Sequence, residues 1–285
     1  MAEILKGAPA ANGLSEELKK KSDILKEEGI IPKLAILRVG EDPSDMAYER
    51  GALKRCEKTG VEPKQIILPA DCSKEELLAA IKAINEDDSI HGCLMFRPLK
   101  DKAAEAEACA LLKPEKDVDS MTRESLTGVF TGDGTGFPPC TAEAVMQILK
   151  FYGVPTAGKK AVVVGRSLVI GKPVAMLLLS ANATVTICHS KTADLAEECR
   201  SADIIVAAAG SAKMLGADCF KEGQTVIDVG INVDAEGNMC GDVDFDAAEK
   251  IVSAITPVPG GVGSVTTAML CSHTIEAAIK ANKKK

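Results

Sequence analysis

The sequence contains no tryptophan, and aromatic residues make up only 3% of its 285 positions. It also lacks a basic excess, because 34 Lys and Arg face 41 Asp and Glu, which gives a net charge of −7. Nucleic-acid-binding domains usually have a basic surface, and proteins that bind single strands add aromatic stacking platforms. The composition therefore predicts no nucleic-acid partner.

Long apolar runs and metal-binding spacings are missing as well. No stretch approaches the roughly 20 apolar residues that span a bilayer, and the N-terminal MAEILKGAPA has no hydrophobic signal core. None of the ten cysteines forms a C-x-x-C pair, and there are only three histidines. We expect a cytoplasmic protein without membrane contact or a metal site, whose cysteines are reduced and mostly buried.

Strand-like and helix-like segments alternate along the chain, which is typical of an α/β fold. The apolar runs KLAILRVG and IHGCLMF predict buried strands, and the second is expected to be parallel. We predict two α/β domains with a cleft between them. Residues 1–140 form the first, residues 141–265 form a Rossmann-type nucleotide-binding domain, and a helix over 266–285 packs back on the first domain.

Two serines are placed to begin helices in the first domain. Ser44 follows a Glu-Asp-Pro turn and is expected to cap the helix that contains Tyr48. Ser73 precedes a second helix and stands three residues before Glu76, which is the spacing of a capping box. These positions predict where both helices start.

The stretch from Ala161 to Ser190 has the pattern of a β-α-β unit. Its loop reads G-x-S-x-x-x-G-x-P and contains Gly165, Ser167 and Gly171. Gly165 lets the chain turn off the strand, Gly171 lets the backbone approach a ligand, and the N–H groups that begin the following helix suit a phosphate. The spacing is not G-x-G-x-x-G, so an ordinary β-α-β unit is the alternative.

The end of the second strand favours NADP as the cofactor. NAD-binding folds usually place an acid there for the ribose 2′-hydroxyl, whereas this chain reads Cys188-His189-Ser190-Lys191. Together with Arg166, Ser190 is a candidate for binding a 2′-phosphate. NAD stays open, because Arg166 would also suit another anion.

The ordered motifs resemble the methylenetetrahydrofolate dehydrogenase/cyclohydrolase family, the FolD-like enzymes. The matching stretches are SDMAY, KDVD, PPCT, VGRSLVIGKPVAMLLL, ATVTICHSKT, DVGIN, GDVDF and TPVPGGVGSVTTAML. The resemblance implies a homodimer that binds one-carbon derivatives of tetrahydrofolate. It implies oxidation of 5,10-methylenetetrahydrofolate with NADP to the methenyl compound, which family members often hydrolyse to 10-formyltetrahydrofolate.

The resemblance also implies roles for individual residues. Tyr48 lies beside the folate and Asp119 binds the pterin ring, although Asp119 alone would be interpreted as a cap of the following turn. Residues implied near folate or nicotinamide are Pro259, Gly260, Gly261, Gly263 and Ile231. The PGGVG loop has no evident purpose without the resemblance.

Four departures from the family motifs surround these residues. The family pattern Y-x-x-x-K has Ala52 at its lysine position, and Lys54 should point away because it lies about 200° around the helix. The family glutamine position is Phe96, followed by Arg97. Ser120 stands where KDVD is normally followed by glycine, and Ser264 stands at a family proline.

These departures predict a dehydrogenase that has lost the cyclohydrolase, since hydrolysis needs a proton-transfer group beside the attacking water. One alternative is a bifunctional enzyme in which Arg97 or another cation replaces the lysine. Another is a catalytically silent protein that binds folate or nucleotide. A different two-domain NADP dehydrogenase would fit the fold but not the ordered motifs.

Overall fold

The structure is a computed structural model that describes residues 1–283. It divides into two compact units, each with its own parallel sheet. The three-stranded unit contains Gly13–Cys140 and the chain from Thr267 onward, and the six-stranded unit contains Met1–Asn12 and Thr141–Thr266. The α/β fold class is confirmed. The predicted boundary differs at the start of the chain, because Met1–Asn12 belongs to the second unit.

Strands and helices alternate through most of the described chain. The strands are β1 Glu3–Ile4, β2 Lys33–Val39, β3 Glu62–Leu68, β4 Gly92–Met95, β5 Lys160–Val164, β6 Thr184–Cys188, β7 Ile204–Ala207, β8 Thr225–Asp228, β9 Asn232–Val233, β10 Met239–Cys240 and β11 Ala254–Ile255. The helices are α1 Gly7–Glu27, α2 Pro43–Thr59, α3 Lys74–Glu86, α4 Lys102–Leu111, α5 Arg123–Thr131, α6 Cys140–Phe151, α7 Gly171–Ser180, α8 Leu195–Ser201, α9 Phe245–Ala248 and α10 Gly263–Lys283.

The three-stranded sheet has the order β3-β2-β4, and all pairs are parallel. All four residues of β4 are buried, as a parallel strand covered on both faces requires. A hydrophobic core of this unit lies between the sheet and helices α3 and α4, with Leu77, Ile81 and Ala108 among its buried residues. The carboxyl ends of β2 and β4 therefore meet at one edge of this sheet.

Of the two helix caps that the sequence predicted in this unit, one is correct and one is wrong. The capping box of Ser73 and Glu76 is confirmed, with both reciprocal hydrogen bonds present. Helix α2 is capped by Asp42 instead of Ser44, because the Asp42 carboxylate accepts hydrogen bonds from the N–H groups of Ser44 and Asp45. Pro43 occupies the first turn, where its missing N–H costs nothing, so the helix begins before Ser44.

The six-stranded sheet has the order β1-β11-β8-β7-β5-β6 and is parallel throughout. Strands β5 and β6 with helix α7 form the predicted β-α-β unit, in which Val164 pairs with Cys188. The two residues of β1 pair with β11 at the sheet edge, which brings the start of the chain into this unit.

The last helix begins earlier than predicted, at Gly263, and its described part ends at Lys283. Residues 284 and 285 of the predicted helix lie outside the described residues. Within the three-stranded unit, the sulfur atom of Cys271 on α10 lies 3.9 Å from that of Cys56 on α2. In residues 1–283 no helix has both the length and the apolar character that crossing a membrane requires.

Candidate active site

Helix α2 presents Tyr48 to a group of residues in the three-stranded unit. The Tyr48 ring packs edge-on against Phe96, with 5.9 Å between ring centroids and 83° between ring planes. Burial raises the pKa of the Tyr48 phenol well above its usual value, and the neighbouring Cys140 and Asp119 side chains act in the same direction. Tyr48 is therefore a neutral phenol that can donate a hydrogen bond.

On the side of α2 that contains Tyr48, the residues four and eight positions further on are both uncharged. Ala52 is one turn further on and has no exposed surface, and Cys56, one turn beyond it, is equally buried against Cys271. Residues four apart share one helix face, so the position of the family lysine faces the interior of this unit. Lys54 is exposed, as the helix geometry predicts.

Strand β4 delivers Phe96 and Arg97 to the same region. The N–H of Phe96 donates to the carbonyl of Leu37 at 3.0 Å, which extends the sheet by one residue and fixes the direction of the buried ring. Arg97 is half-buried, and its charge reaches Asp119, where it lowers the pKa of the carboxyl group. The end of β4 thus places a ring against Tyr48 and a cation near Asp119.

Asp119 is held at the start of helix α6. Its Oδ1 accepts a hydrogen bond from the N–H of Cys140 at 2.9 Å, where a carboxylate also interacts favourably with the helix dipole. Burial raises the pKa of Asp119, and the hydrogen bond from Cys140 and the charge of Arg97 oppose that rise. The following turn is capped by Asp117 instead, whose carboxylate accepts from the N–H groups of Met121 and Thr122 at 2.8 Å.

The loop after β5 is shaped by close backbone packing in the six-stranded unit. Gly165 has φ of 126°, and a Cβ there would lie 2.1 Å from the Ala208 carbonyl oxygen. A Cβ on Gly171 would lie 2.2 Å from the Gly165 carbonyl oxygen. In the structure, a glycine is therefore needed at position 171 because the loop's own backbone passes close to it. The sequence pattern had instead predicted the close approach of a ligand. The Ser167 hydroxyl accepts from the N–H groups of Ile170 and Gly171.

Arg166 and Ser190 follow the carboxyl ends of the adjacent strands β5 and β6, and both are exposed. The N–H of Gly165 donates to the Cys188 carbonyl at 2.9 Å, which ties the two strand ends together. No acid follows β6; instead His189 Nδ1 accepts from the N–H of Lys191. A cationic, acid-free strand edge of this kind suits a phosphate on the ribose, so these residues fit NADP.

The remaining predicted residues also lie in the six-stranded unit. Ile231 is exposed, and its Cδ1 lies 3.9 Å from the position that a Cβ on Gly263 would take. Pro259 follows a cis peptide bond, and the carbonyl of Gly260 accepts from the N–H of Gly7. The proximity of Ile231 to Gly263 places it beside the start of α10.

Two buried carboxylates shape loops at the same sheet. The Asp242 carboxylate accepts from the N–H groups of residues 209, 210 and 211, after β7, at 2.6 to 3.0 Å. Asp228 ends β8, and its carboxylate accepts from the N–H groups of Asp242 and Val243. Burial raises the pKa of Asp228 to about 7. The motifs DVGIN and GDVDF contain these two residues, but the sequence did not predict that the Asp228 carboxylate binds the backbone N–H of Asp242.

Comparison with known proteins agrees with both units. Residues 5–119 match the catalytic domain of the tetrahydrofolate dehydrogenase/cyclohydrolase family, and residues 139–282 match its NAD(P)-binding domain. The chain belongs to this family. The bifunctional protein FolD of Carboxydothermus hydrogenoformans is 56% identical over 279 residues, which are 97% of each chain.

Solved structures of the family superpose closely on this chain. The bifunctional FolD of Campylobacter jejuni is 41% identical with a TM-score of 0.93, covering 98% of this chain and 99% of that one. The Trypanosoma brucei enzyme, solved with NADP and an inhibitor, is 34% identical with a TM-score of 0.92, covering 99% of both chains.

Within the family fold, the structure brings Tyr48, Phe96 and Asp119 into one neighbourhood of the three-stranded unit. The predicted cofactor residues, in contrast, all lie in the six-stranded unit. Cys140 was not among the predicted site residues, yet it contacts Asp119 through its N–H and influences Tyr48. The PPCT motif contained this cysteine, but composition alone marked it only as a small buried residue.

Proposed function

We propose that this chain oxidises 5,10-methylenetetrahydrofolate to 5,10-methenyltetrahydrofolate with NADP and has lost the cyclohydrolase step. The single observation that supports the loss is the contact between Phe96 and Tyr48, on a helix face whose next member is the fully buried Ala52. The family position for lysine is thus filled by the methyl group of Ala52, and the position for glutamine by the apolar ring of Phe96.

The two steps of the family make different demands on the protein. In the first, the methylene carbon of the folate loses a hydride and no proton moves, so the protein mainly holds the reactants in register. When bound, NADP accepts this hydride on its nicotinamide ring. Hydrolysis of the methenyl group instead adds water and releases a proton, which requires a group that accepts it. Neither Ala52 nor Phe96 offers one.

The retained residues have roles that suit substrate binding. The neutral phenol of Tyr48 donates a hydrogen bond to the folate, and the carboxylate of Asp119 accepts paired hydrogen bonds from the pterin amide and amine. Arg166 and Ser190 bind the 2′-phosphate, and Ser167 with Gly165 and Gly171 shapes the phosphate loop. Ile231 and Pro259 to Gly263 contact the nicotinamide.

A bifunctional enzyme is the second candidate, and Arg97 is the observation that favours it. Its charge reaches Asp119, so a cation is present near the site although the lysine is not. A guanidinium keeps its proton in proteins and cannot serve as a general base, which makes it a weaker replacement for lysine.

Two assays on one preparation test these alternatives. We expect formation of NADPH from 5,10-methylenetetrahydrofolate, and decay of 5,10-methenyltetrahydrofolate at the rate of buffer alone. Decay above that rate that disappears in Arg97→Leu would establish the bifunctional alternative. Failure to reduce either NADP or NAD would refute the dehydrogenase and leave a silent binding protein.

We also propose that two copies of the chain pair through the hairpin of β9 and β10. Val233 and Met239 are paired opposite each other on these antiparallel strands and are 67% and 52% exposed, so they place two adjacent apolar side chains at the surface. Light scattering after size-exclusion chromatography should give twice the chain mass, and Val233→Asp should lower it to the mass of one chain.

A further inference from the structure

Ser120 combines two unfavourable features in one residue. Its φ angle is 56°, in the left-handed region that residues with a Cβ rarely adopt. Its hydroxyl oxygen is buried and has no hydrogen-bond partner among residues 1–283, although the residue is only 5% exposed. Native proteins rarely leave a buried hydroxyl unbonded, so both features require an explanation.

The local turn does not need a serine. The Asp117 carboxylate holds the turn by accepting from the N–H groups of Met121 and Thr122, and Thr122 caps α5 through its hydroxyl. Glycine would occupy the left-handed position without steric cost and without an unbonded hydroxyl. The family motif has glycine here, so this chain keeps a more costly residue.

The position of Ser120 suggests what the hydroxyl serves. It directly follows Asp119, whose carboxylate interacts electrostatically with Tyr48 and Arg97. We infer that the Ser120 hydroxyl forms a hydrogen bond with the pteridine ring of the reduced folate bound at Asp119, and so acts as a further substrate-contacting residue. This inference rests on the folate site of the proposed function.

The energetics favour such a bond. A serine side chain has three staggered rotamers, so rotation about χ1 re-aims the hydroxyl without moving the backbone. In the free protein the hydroxyl has already lost its water partners. A hydrogen bond to the ligand therefore gains more than one whose donor must first be desolvated.

Ser120→Ala and Ser120→Gly separate the two features, since alanine removes only the hydroxyl and glycine also removes the strain. Titration calorimetry with 5-formyltetrahydrofolate should give a Kd about tenfold higher for both variants, with the Kd for NADP unchanged. The Tm of Ser120→Gly should exceed that of Ser120→Ala. Asn182→Gly is the matched control, because Asn182 has φ of 63° in the six-stranded unit. It should leave the folate Kd unchanged.

The inference is overturned if both variants bind 5-formyltetrahydrofolate within twofold of the unmodified protein. It is also overturned if both lose NADP affinity equally, which would indicate general damage, or if the unmodified protein fails to bind the folate. These titrations involve no turnover. A protein that binds folate but does not reduce NADP would refute the proposed function while leaving the Ser120 result to be judged by its Kd values.

Discussion

The ring of Tyr48 meets the ring of Phe96 edge-on, with centroids 5.9 Å apart, in the three-stranded unit. Edge-to-face aromatic pairs stabilise a fold by about 0.5–1.5 kcal/mol beyond the area they bury. The pair thus gives Tyr48 a packing contact from Phe96, which stands at the position of the family glutamine. Folate chemistry that depends on proton transfer beside Tyr48 should be the first activity affected.

Restoring the polar pair should restore hydrolysis. Ala52→Lys combined with Phe96→Gln is expected to hydrolyse 5,10-methenyltetrahydrofolate at least about tenfold faster than the unmodified chain, because general acid–base groups contribute about 10²–10⁴-fold. Ala52→Met with Phe96→Gln has similar length without the charge and should stay at the buffer rate. A lysine variant that keeps its dehydrogenase but gains no hydrolysis would contradict the prediction.

Removing Arg97 should shift the pH dependence of folate binding. Burial raises the pKa of Asp119 and Arg97 opposes the rise, so Arg97→Leu is expected to raise that pKa further. As the solution is acidified, folate binding to the carboxylate should therefore begin to weaken at a higher pH in Arg97→Leu than in the unmodified protein. The KM for 5,10-methylenetetrahydrofolate measured across the pH range tests this, with Arg97→Lys as the control that keeps the charge. Superimposable profiles for Arg97→Leu and the unmodified protein would count against the interaction.

Ser190→Asp should change the choice of nucleotide. A carboxylate after β6 repels a 2′-phosphate and can accept hydrogen bonds from a ribose hydroxyl. We expect the KM for NADP to rise at least about tenfold, which corresponds to roughly 1.4 kcal/mol, and the KM for NAD to fall. Ser190→Ala removes the hydroxyl without adding charge and should raise the KM for NADP less. Equal effects of the two variants would mean that Ser190 does not face the phosphate.

The buried ion pair beneath α2 should be important for stability. Arg38 Nε lies 2.9 Å from a carboxylate oxygen of Glu49, and both side chains are buried. Glu49→Ala leaves an unpaired buried charge and is expected to lower the free energy of unfolding by about 3–5 kcal/mol in urea titrations. Lys64→Ala, which breaks an exposed pair with Asp87, should cost at most about 1 kcal/mol. Similar losses in both variants would disprove the distinction.

Asp228 should make stability fall as the pH rises. Its pKa is raised from 3.8 to about 7 in the folded chain, so between these values the folded state binds more protons than the unfolded state. Its contribution is therefore fully present below pH 3.8 and is lost as the pH rises through about 7. The whole effect is at most about 4 kcal/mol.

Unfolding in urea at pH 5, 6, 7 and 8 measures this contribution. Asp228→Asn should flatten the decline, whereas Glu222→Gln, a change at an exposed position, should leave it in place. An unchanged slope in Asp228→Asn would show that another group titrates.

Several features of this protein followed from the sequence because they depend on neighbouring residues. The capping box of Ser73 and Glu76 needs only three residues of spacing, and the β-α-β unit around Gly165 needs one strand, one loop and one helix. The replacement of lysine by Ala52 is equally local, because residues four apart share a helix face.

Tertiary structure decided what depends on contacts between distant segments. The pairing of β1 with β11 joins residues about 250 positions apart, and a two-residue strand has too short a pattern to announce its partner. Likewise, Asp119 caps α6 because the fold brings the N–H of Cys140 to its carboxylate. Gly171 has to be a glycine because the Gly165 carbonyl oxygen occupies the space that a Cβ would take. Sequence patterns identify which residue types are available, whereas the packing of strands and helices decides which of them meet.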